Sequence, residues 1–387
     1  MEAKVGKNPV GTPSRHPFRR KARRAVWVVG SVALLGVLGL GGALLVWSRG
    51  ELPPFLDANG RVLPGSISEK VHLNVNGVTQ GMIIRSRDAT HPVLLFLHGG
   101  PGMPEYFLTD RYPTGLEDDF TIVWWEQRGA GLSYSSDISP ETMTIEQLIA
   151  DTIDLTNYLR HRFGQDKIYL MGHSWGSFLG IQVAAAAPEL YHAYIGMSQV
   201  THQLRSERLA YDYMLEQYSA KGDVGMVRRL EAAPVTMTGP LPAGYLGLRD
   251  DAMHSLGVGT TRDMTSVITG IFFPSWQSTA YTLGEKLNIW RGRAFSRRLL
   301  WDTFIATDLT SKITTLDLPV YFWGGVYDYS ASYTEAKAYF DKLSAPFKGF
   351  YTFARSAHSP LFEEPEKAGR IWRADILMGT TNLADPG

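Results

Sequence analysis

Residues 167–187 read KIYLMGHSWGSFLGIQVAAAA, and this stretch limits the possible folds more than any other. Residues 168–171 form an apolar run of strand length, and Gly172-His173-Ser174-Trp175-Gly176 follows at once. Phe178, Leu179, Ile181 and Val183, with the alanines after them, predict a helix packed against a sheet. A strand that becomes a helix so abruptly needs a very tight turn. Glycines on both sides of the central residue let strand and helix approach each other. The turn strains the central backbone and lifts the Ser174 hydroxyl clear of the sheet, at the positive end of the helix. Taken alone, the pattern also fits an ordinary strand–helix turn, so partners elsewhere in the chain must decide.

Strands and helices alternate around this stretch. Residues 93–97 (VLLFL) and 120–125 (FTIVWW) are buried strands by composition, and residues 194–197 are a further one. Residues 144–161 have helical periodicity, with Thr144 placed to cap the start and Gly164 to end it. Residues 66–87 read as a hairpin that turns at Asn76-Gly77. Strands apolar on both faces, separated by helices, predict a mostly parallel sheet covered on both sides. The alternation stops between residues 201 and 316. That segment is helical in pattern over 207–218, 224–232 and 288–304, and reads as an inserted cap. Strands resume at 319–323 and 349–353, and a last helix is expected near 367–377.

The N-terminus differs in kind. Within the first 24 residues, eight bases (Lys4, Lys7, Arg15, Arg19, Arg20, Lys21, Arg23, Arg24) face Glu2 alone. Setting these aside from 38 basic and 38 acidic residues leaves 30 against 37, a net charge of −7, so nothing favours nucleic-acid binding. Residues 25–47 carry no charge and span roughly 35 Å as a helix, enough to cross a bilayer. Trp27 and Trp47 sit near the two ends, as interfacial aromatics do. The basic flank places the N-terminus in the cytoplasm and the rest of the chain outside. A cleaved signal peptide is the competing reading. Its apolar core would be shorter and followed by a small-x-small site, whereas this run ends in Val46-Trp47-Ser48-Arg49. The chain has no cysteine, which excludes disulfides, thiolate metal sites and a cysteine nucleophile.

A serine nucleophile needs a base, and the base needs a carboxylate that holds its tautomer. In α/β-hydrolases the chain order is serine, acid, histidine, each at the carboxyl end of a strand. Asp328 follows the strand at 319–323, and His358 follows the strand at 349–353. Asp317 lies at the wrong end of its strand and Asp341 falls within a helix pattern, which leaves Glu126 as the rival acid. His173 is expected to point away from the site and His98 to belong to the glycine-rich loop. Trp175 N–H, at the helix start, is one expected oxyanion donor. Gly99 or Gly100, in His98-Gly99-Gly100-Pro101-Gly102, would supply the second, and Gly100 is favoured.

Three segments carry a family resemblance: His98-Gly99-Gly100-Pro101-Gly102, Trp125-Glu126-Gln127-Arg128-Gly129-Ala130-Gly131-Leu132-Ser133, and Gly172-His173-Ser174-Trp175-Gly176-Ser177. Arg355-Ser356-Ala357-His358-Ser359-Pro360 adds a fourth. Together they resemble the proline iminopeptidase-like α/β-hydrolases. The chain departs from that pattern at Glu126, where Asp is usual, and at His173, where Gly is frequent. The resemblance implies a cofactor-free, metal-free serine hydrolase, with aminopeptidase action as the best-known activity. It also implies cap carboxylates that hold the substrate's free amine, and here Glu207 and Glu216 are the candidates, with Asp212 and Glu231 also available.

The expected architecture is an α/β-hydrolase fold with an inserted helical cap, preceded by one transmembrane helix. Its divisions are a basic cytoplasmic tail (1–24), a signal anchor (25–47), a linker (48–65), the first part of the core (66–200), the cap (201–316) and the second part of the core (317–380). The expected function is a membrane-anchored, extracytoplasmic serine hydrolase acting through an acyl-enzyme on short peptides or amino-acid amides. A carboxylesterase or lipase is the first alternative, with Met214, Met253, Trp276, Trp290 and Trp301 as an acyl pocket. A non-catalytic binding protein on the same fold is the second.

Overall fold

The computed structural model describes residues 1–6 and 16–386. The chain divides into two compact units, Met1–Trp47 and Ser48–Gly387. The first unit holds helix α1 (His16–Trp47). The expected basic tail falls in part on residues 7–15, which lie outside the described residues. The helix begins at His16, within the expected tail, rather than at Ala25. Lysine and arginine are good helix formers and extend a helix that an adjoining apolar run has nucleated. Within α1, Val26–Trp47 is long and apolar enough to cross a membrane.

The second unit is built on one eight-stranded sheet. Strands β1 (Ile67–Val75) and β2 (Val78–Ser86) form the expected hairpin. Asn76 and Gly77 both take positive φ at its turn (46° and 82°), the geometry a two-residue hairpin loop requires. Strands β3 (Val93–Leu97), β4 (Thr121–Glu126), β5 (Ile168–His173), β6 (Tyr191–Met197), β7 (Val320–Gly325) and β8 (Lys348–Phe353) complete the sheet in the order β1-β2-β4-β3-β5-β6-β7-β8. All neighbours from β4 to β8 run parallel. Leu95, Leu97 and Leu170 pack on one face, while Leu94, Phe96 and Met171 pack on the other. Each such fully buried side chain contributes about 1.5–3 kcal/mol of transfer free energy.

Helix α2 (Ile145–Phe163) starts where the Thr144 side chain accepts the Gln147 N–H and stops at Gly164, whose φ is 64°. Helix α3 (Trp175–Ala186) follows β5 without a linking residue other than Ser174. Residues 201–316 contain no strand and carry α4 (Gln203–Ala220), α5 (Val224–Glu231), α6 (Ala243–Ser255), α7 (Phe273–Gln277), α8 (Leu283–Ala306) and α9 (Leu309–Lys312). Helix α8 opens with a capping box formed by Thr282 and Glu285. Residues just after the apolar helix are fixed beside it. Arg49 bridges to Thr282, and Glu51 N–H donates to the Thr279 carbonyl at 3.0 Å. Helices α10 (Tyr333–Lys342), α11 (Pro360–Glu363) and α12 (Pro365–Ile371) close the chain.

Candidate active site

Parallel strands all point one way, so the loops after β3, β5, β7 and β8 gather at a single sheet edge. Ser174 sits there with φ 55° and ψ −122°, a strained conformation for a residue with a side chain. Its crowding has a specific source: a Cβ on Gly176 would lie 1.9 Å from the Leu97 carbonyl oxygen. The turn is therefore closed by contact between α3 and the end of β3. Trp175 is the first residue of α3, where a backbone N–H has no helical acceptor.

Asp328 follows β7 and His358 follows β8, and the structure brings them together. His358 Nδ1 lies 2.9 and 3.0 Å from the two carboxylate oxygens of Asp328. Asp328 is also held by the N–H groups of Ser330 and Ala331, each at 2.9 Å. Burial pushes its carboxyl up, but His358 and these hydrogen bonds outweigh burial and leave it below the ordinary value. Ser174 and His358 line one cavity, of about 1260 Å³ including its mouth.

The loop after β3 supplies Gly99 and Gly100 to the same cavity. Gly99 N–H donates to Glu105 at 2.7 Å, which directs it away from an oxyanion. Gly100 has φ 126°, and a Cβ there would meet backbone nitrogens at 2.5 and 2.7 Å. His98 is buried, and burial lowers it to about 4. It is neutral, with Nδ1 on the Gly99 carbonyl and Nε2 accepting the Gln127 N–H.

His173 does not point away as expected. It is buried, with its ring centroid 4.9 Å from that of His358. Nδ1 meets both oxygens of Glu105 at 2.9 Å, and Nε2 donates to the His358 carbonyl at 2.6 Å. Burial opposes charge on this ring, but Glu105 overrides it and raises His173 above its ordinary value. A carbonyl can only accept, so Nε2 carries a proton. Glu105 thus ties three parts together: the glycine loop, the elbow and the His358 loop. The sequence held a signal for this pair, since a carboxylate follows the glycine loop and a histidine occupies the variable position of G-x-S-x-G. Glu363 was missed too. It grips the His358 loop through the N–H groups of Ala357 (2.9 Å) and Ser359 (3.1 Å).

The rival acid Glu126 faces elsewhere. It accepts from Tyr281 at 2.6 Å and from Leu132 N–H at 2.5 Å, and burial raises it to about 7 despite those bonds. Asp317 and Asp341 are exposed. The cap candidates Glu207 and Glu216 require correction, since neither lines the cavity. Glu207 is buried and occupied by Arg249 (2.6 Å), Tyr245 (2.7 Å) and Gln203 (2.9 Å). Glu216 is exposed on α4. The acidic side chains that do line the cavity are Glu105 and Asp250, and the latter is bound by Arg249 at 2.8 Å. Among the described residues no group of three or more acidic or histidine side chains is placed to hold a metal ion.

Comparison with known proteins identifies the fold and the family. The model of the alpha/beta hydrolase fold family matches residues 92–365. A probable aminopeptidase, YbaC of Bacillus subtilis, is 33% identical over 302 residues, covering 78% of this chain and 93% of that protein. A proline iminopeptidase of Lactobacillus delbrueckii subsp. lactis is 24% identical over 283 residues, covering 71% and 86%. The crystal structure of a proline iminopeptidase from Mycobacterium smegmatis superposes with a TM-score of 0.60 at 16% identity, over 80% of this chain and 98% of that one.

Proposed function

The chain belongs to the α/β-hydrolase family, among its proline iminopeptidase-like members, and from that premise we propose a membrane-anchored serine hydrolase that cleaves short peptides or amino-acid amides. The observation that carries the reading is the Asp328–His358 couple facing the same cavity as the strained Ser174.

Ser174 Oγ attacks the acyl carbon while His358 Nε2 takes its proton. Asp328 fixes the opposite tautomer at Nδ1 and stabilises the imidazolium that forms. The carbonyl oxygen gains negative charge and is received by the N–H groups of Gly100 and Trp175, each worth about 3 kcal/mol in the transition state. His358 then returns the proton to the departing amine. Water, activated by the same histidine, releases the acyl group and restores Ser174. The test is a paired assay, wild type beside Ser174→Ala, on free and N-acetylated aminoacyl amides. Turnover of free amides that disappears in the variant supports the reading.

A second reading is a carboxylesterase. Both carboxylates lining the cavity already have partners, His173 and Arg249, so none is left solely for a substrate amine. Turnover of p-nitrophenyl esters with equal turnover of acetylated and free amides would favour it.

The anchor is Val26–Trp47, with the basic residues before it on the cytoplasmic side and the hydrolase unit outside. A reporter fused after Gly387 that is active only in the cytoplasm would overturn that orientation.

A further inference from the structure

Three arginines line the cavity opposite the catalytic edge: Arg249 on α6, and Arg293 and Arg297 on α8. Two carboxylates accompany them, Glu207 and Asp250, and both bind Arg249 directly. Among the described residues neither Arg293 nor Arg297 forms an ion pair. Their partners are rings. The Arg293 guanidinium lies 5.8 Å from the centroid of Trp290, and that of Arg297 lies 4.6 Å from Trp301. Both arginines are half-buried. They stand four residues apart on one helix, so they share a face and repel each other. Burial, and then the Arg293 charge, push the Arg297 guanidinium below its ordinary value. The remaining charges on the cavity wall, Glu105 and His173, neutralise each other. The cap wall thus carries more positive charge than the chain itself balances, stacked on aromatic faces that leave the guanidinium edges available.

We propose that Arg293 and Arg297 form an anion-binding subsite and that the substrates carry a carboxylate, received by these two side chains. A planar guanidinium matches a carboxylate through paired hydrogen bonds. In a short peptide the group has two possible sources, the C-terminal carboxylate of the leaving residue or the side chain of an acidic N-terminal residue. The substrate part of this inference rests on the hydrolase reading above; the anion site itself does not.

The test compares kcat/KM for Ala-Ala against Ala-Ala-amide, and for Glu-β-naphthylamide against Ala-β-naphthylamide. The proteins are the full chain as wild type, Arg293→Gln/Arg297→Gln and the charge-preserving Arg293→Lys/Arg297→Lys. In one pair the wild type should prefer the member with the extra carboxylate by about tenfold or more, in line with one charge-assisted bidentate contact. That ratio should collapse towards one in the Gln variant and persist in large part in the Lys variant. Preference within the first pair assigns the C-terminal carboxylate; within the second, the acidic side chain. Ratios near one for both pairs in the wild type, or a preference that survives in the Gln variant, would overturn the proposal. Fluorophosphonate labelling of Ser174 reports separately on the hydrolase reading. If the wild type is not labelled, the same ligand pairs are titrated by calorimetry, and the ratio of dissociation constants is judged by the same criterion.

Discussion

Charge is arranged differently on the two sides of the cavity. Around Ser174 each carboxylate has a histidine partner: Asp328 holds His358 at 2.9 Å, and Glu105 holds His173 at 2.9 Å. Across from it, Arg249 takes both Glu207 and Asp250, while Arg293 and Arg297 rest on tryptophans. A matched edge holds its geometry before any ligand arrives, as fixed dipoles must if they are to stabilise a transition state. An unmatched wall waits for a ligand to complete it. On the proposed reading, the chemistry is built into one side, and selectivity into the other.

That contrast can be broken most sharply at the catalytic edge. Ser174→Ala and Asp328→Asn should each lower kcat by about 10⁴-fold or more on whichever amide or ester is turned over. An Asp328→Asn variant that keeps a tenth of wild-type turnover would show that His358 is oriented by something else. The next largest effect is expected beneath the triad. His173→Phe or Glu105→Gln removes the link between the glycine loop and the His358 carbonyl. A displacement of about 1 Å in a reacting group can cost about a hundredfold, so a fall in kcat of about tenfold to a hundredfold is expected, with the fluorophosphonate still bound. Equal kcat in variant and wild type would reduce the pair to packing.

Glu126 sharpens the comparison from the other direction, because it is a buried carboxylate that forms no ion pair among the described residues. Its folded value of about 7 lies above the ordinary 4.5, so the folded chain holds this proton more tightly than the unfolded chain does. The stability it contributes is present below pH 4.5 and is lost as pH rises through 7. By linkage the loss is on the order of 3 kcal/mol. Glu126→Gln should flatten the fall in unfolding free energy across this window, measured by denaturant titration. A wild-type profile that is already flat there contradicts this account. Smallest of all are the cap carboxylates. Glu207→Gln weakens a buried ion pair and should cost about 1–3 kcal/mol of stability. Glu216→Gln, on an exposed surface, should stay within about 0.5 kcal/mol. Loss of turnover in the Glu216 variant alone would return the amine site to α4.

What the sequence could reveal follows the range of the interactions. Ser174, Asp328 and His358 each follow an apolar strand within a few residues, so local composition marks them. The Asn76-Gly77 turn and the Gly164 stop are likewise local signals. The Glu105–His173 pair spans 68 positions, and the Glu207–Arg249 pair spans 42. Neither has a periodic pattern to announce it. Glu207 and Glu216 looked equivalent as acidic residues on a helix. Only the packing of α6 against α4 distinguishes them, by burying one and leaving the other in water. The start of α8 was missed for a related reason. Its capping box at Thr282 and Glu285 precedes the periodic part, so apolar spacing alone places the helix start too late.

Helix α8 has a further consequence. Its first turn is locked by Thr282, the same residue that bridges to Arg49 in the stem just beyond the apolar helix. Its middle carries Trp290, Arg293 and Arg297 into the cavity, and its end seats Phe304 against Trp175 beside the elbow. The helix contains no proline, and at 24 residues it is a rod of roughly 36 Å. In mechanical language it is a strut without a joint: stem, pocket wall and the base of the nucleophile turn are points on a single stiff member. Whatever displaces one of them loads the other two.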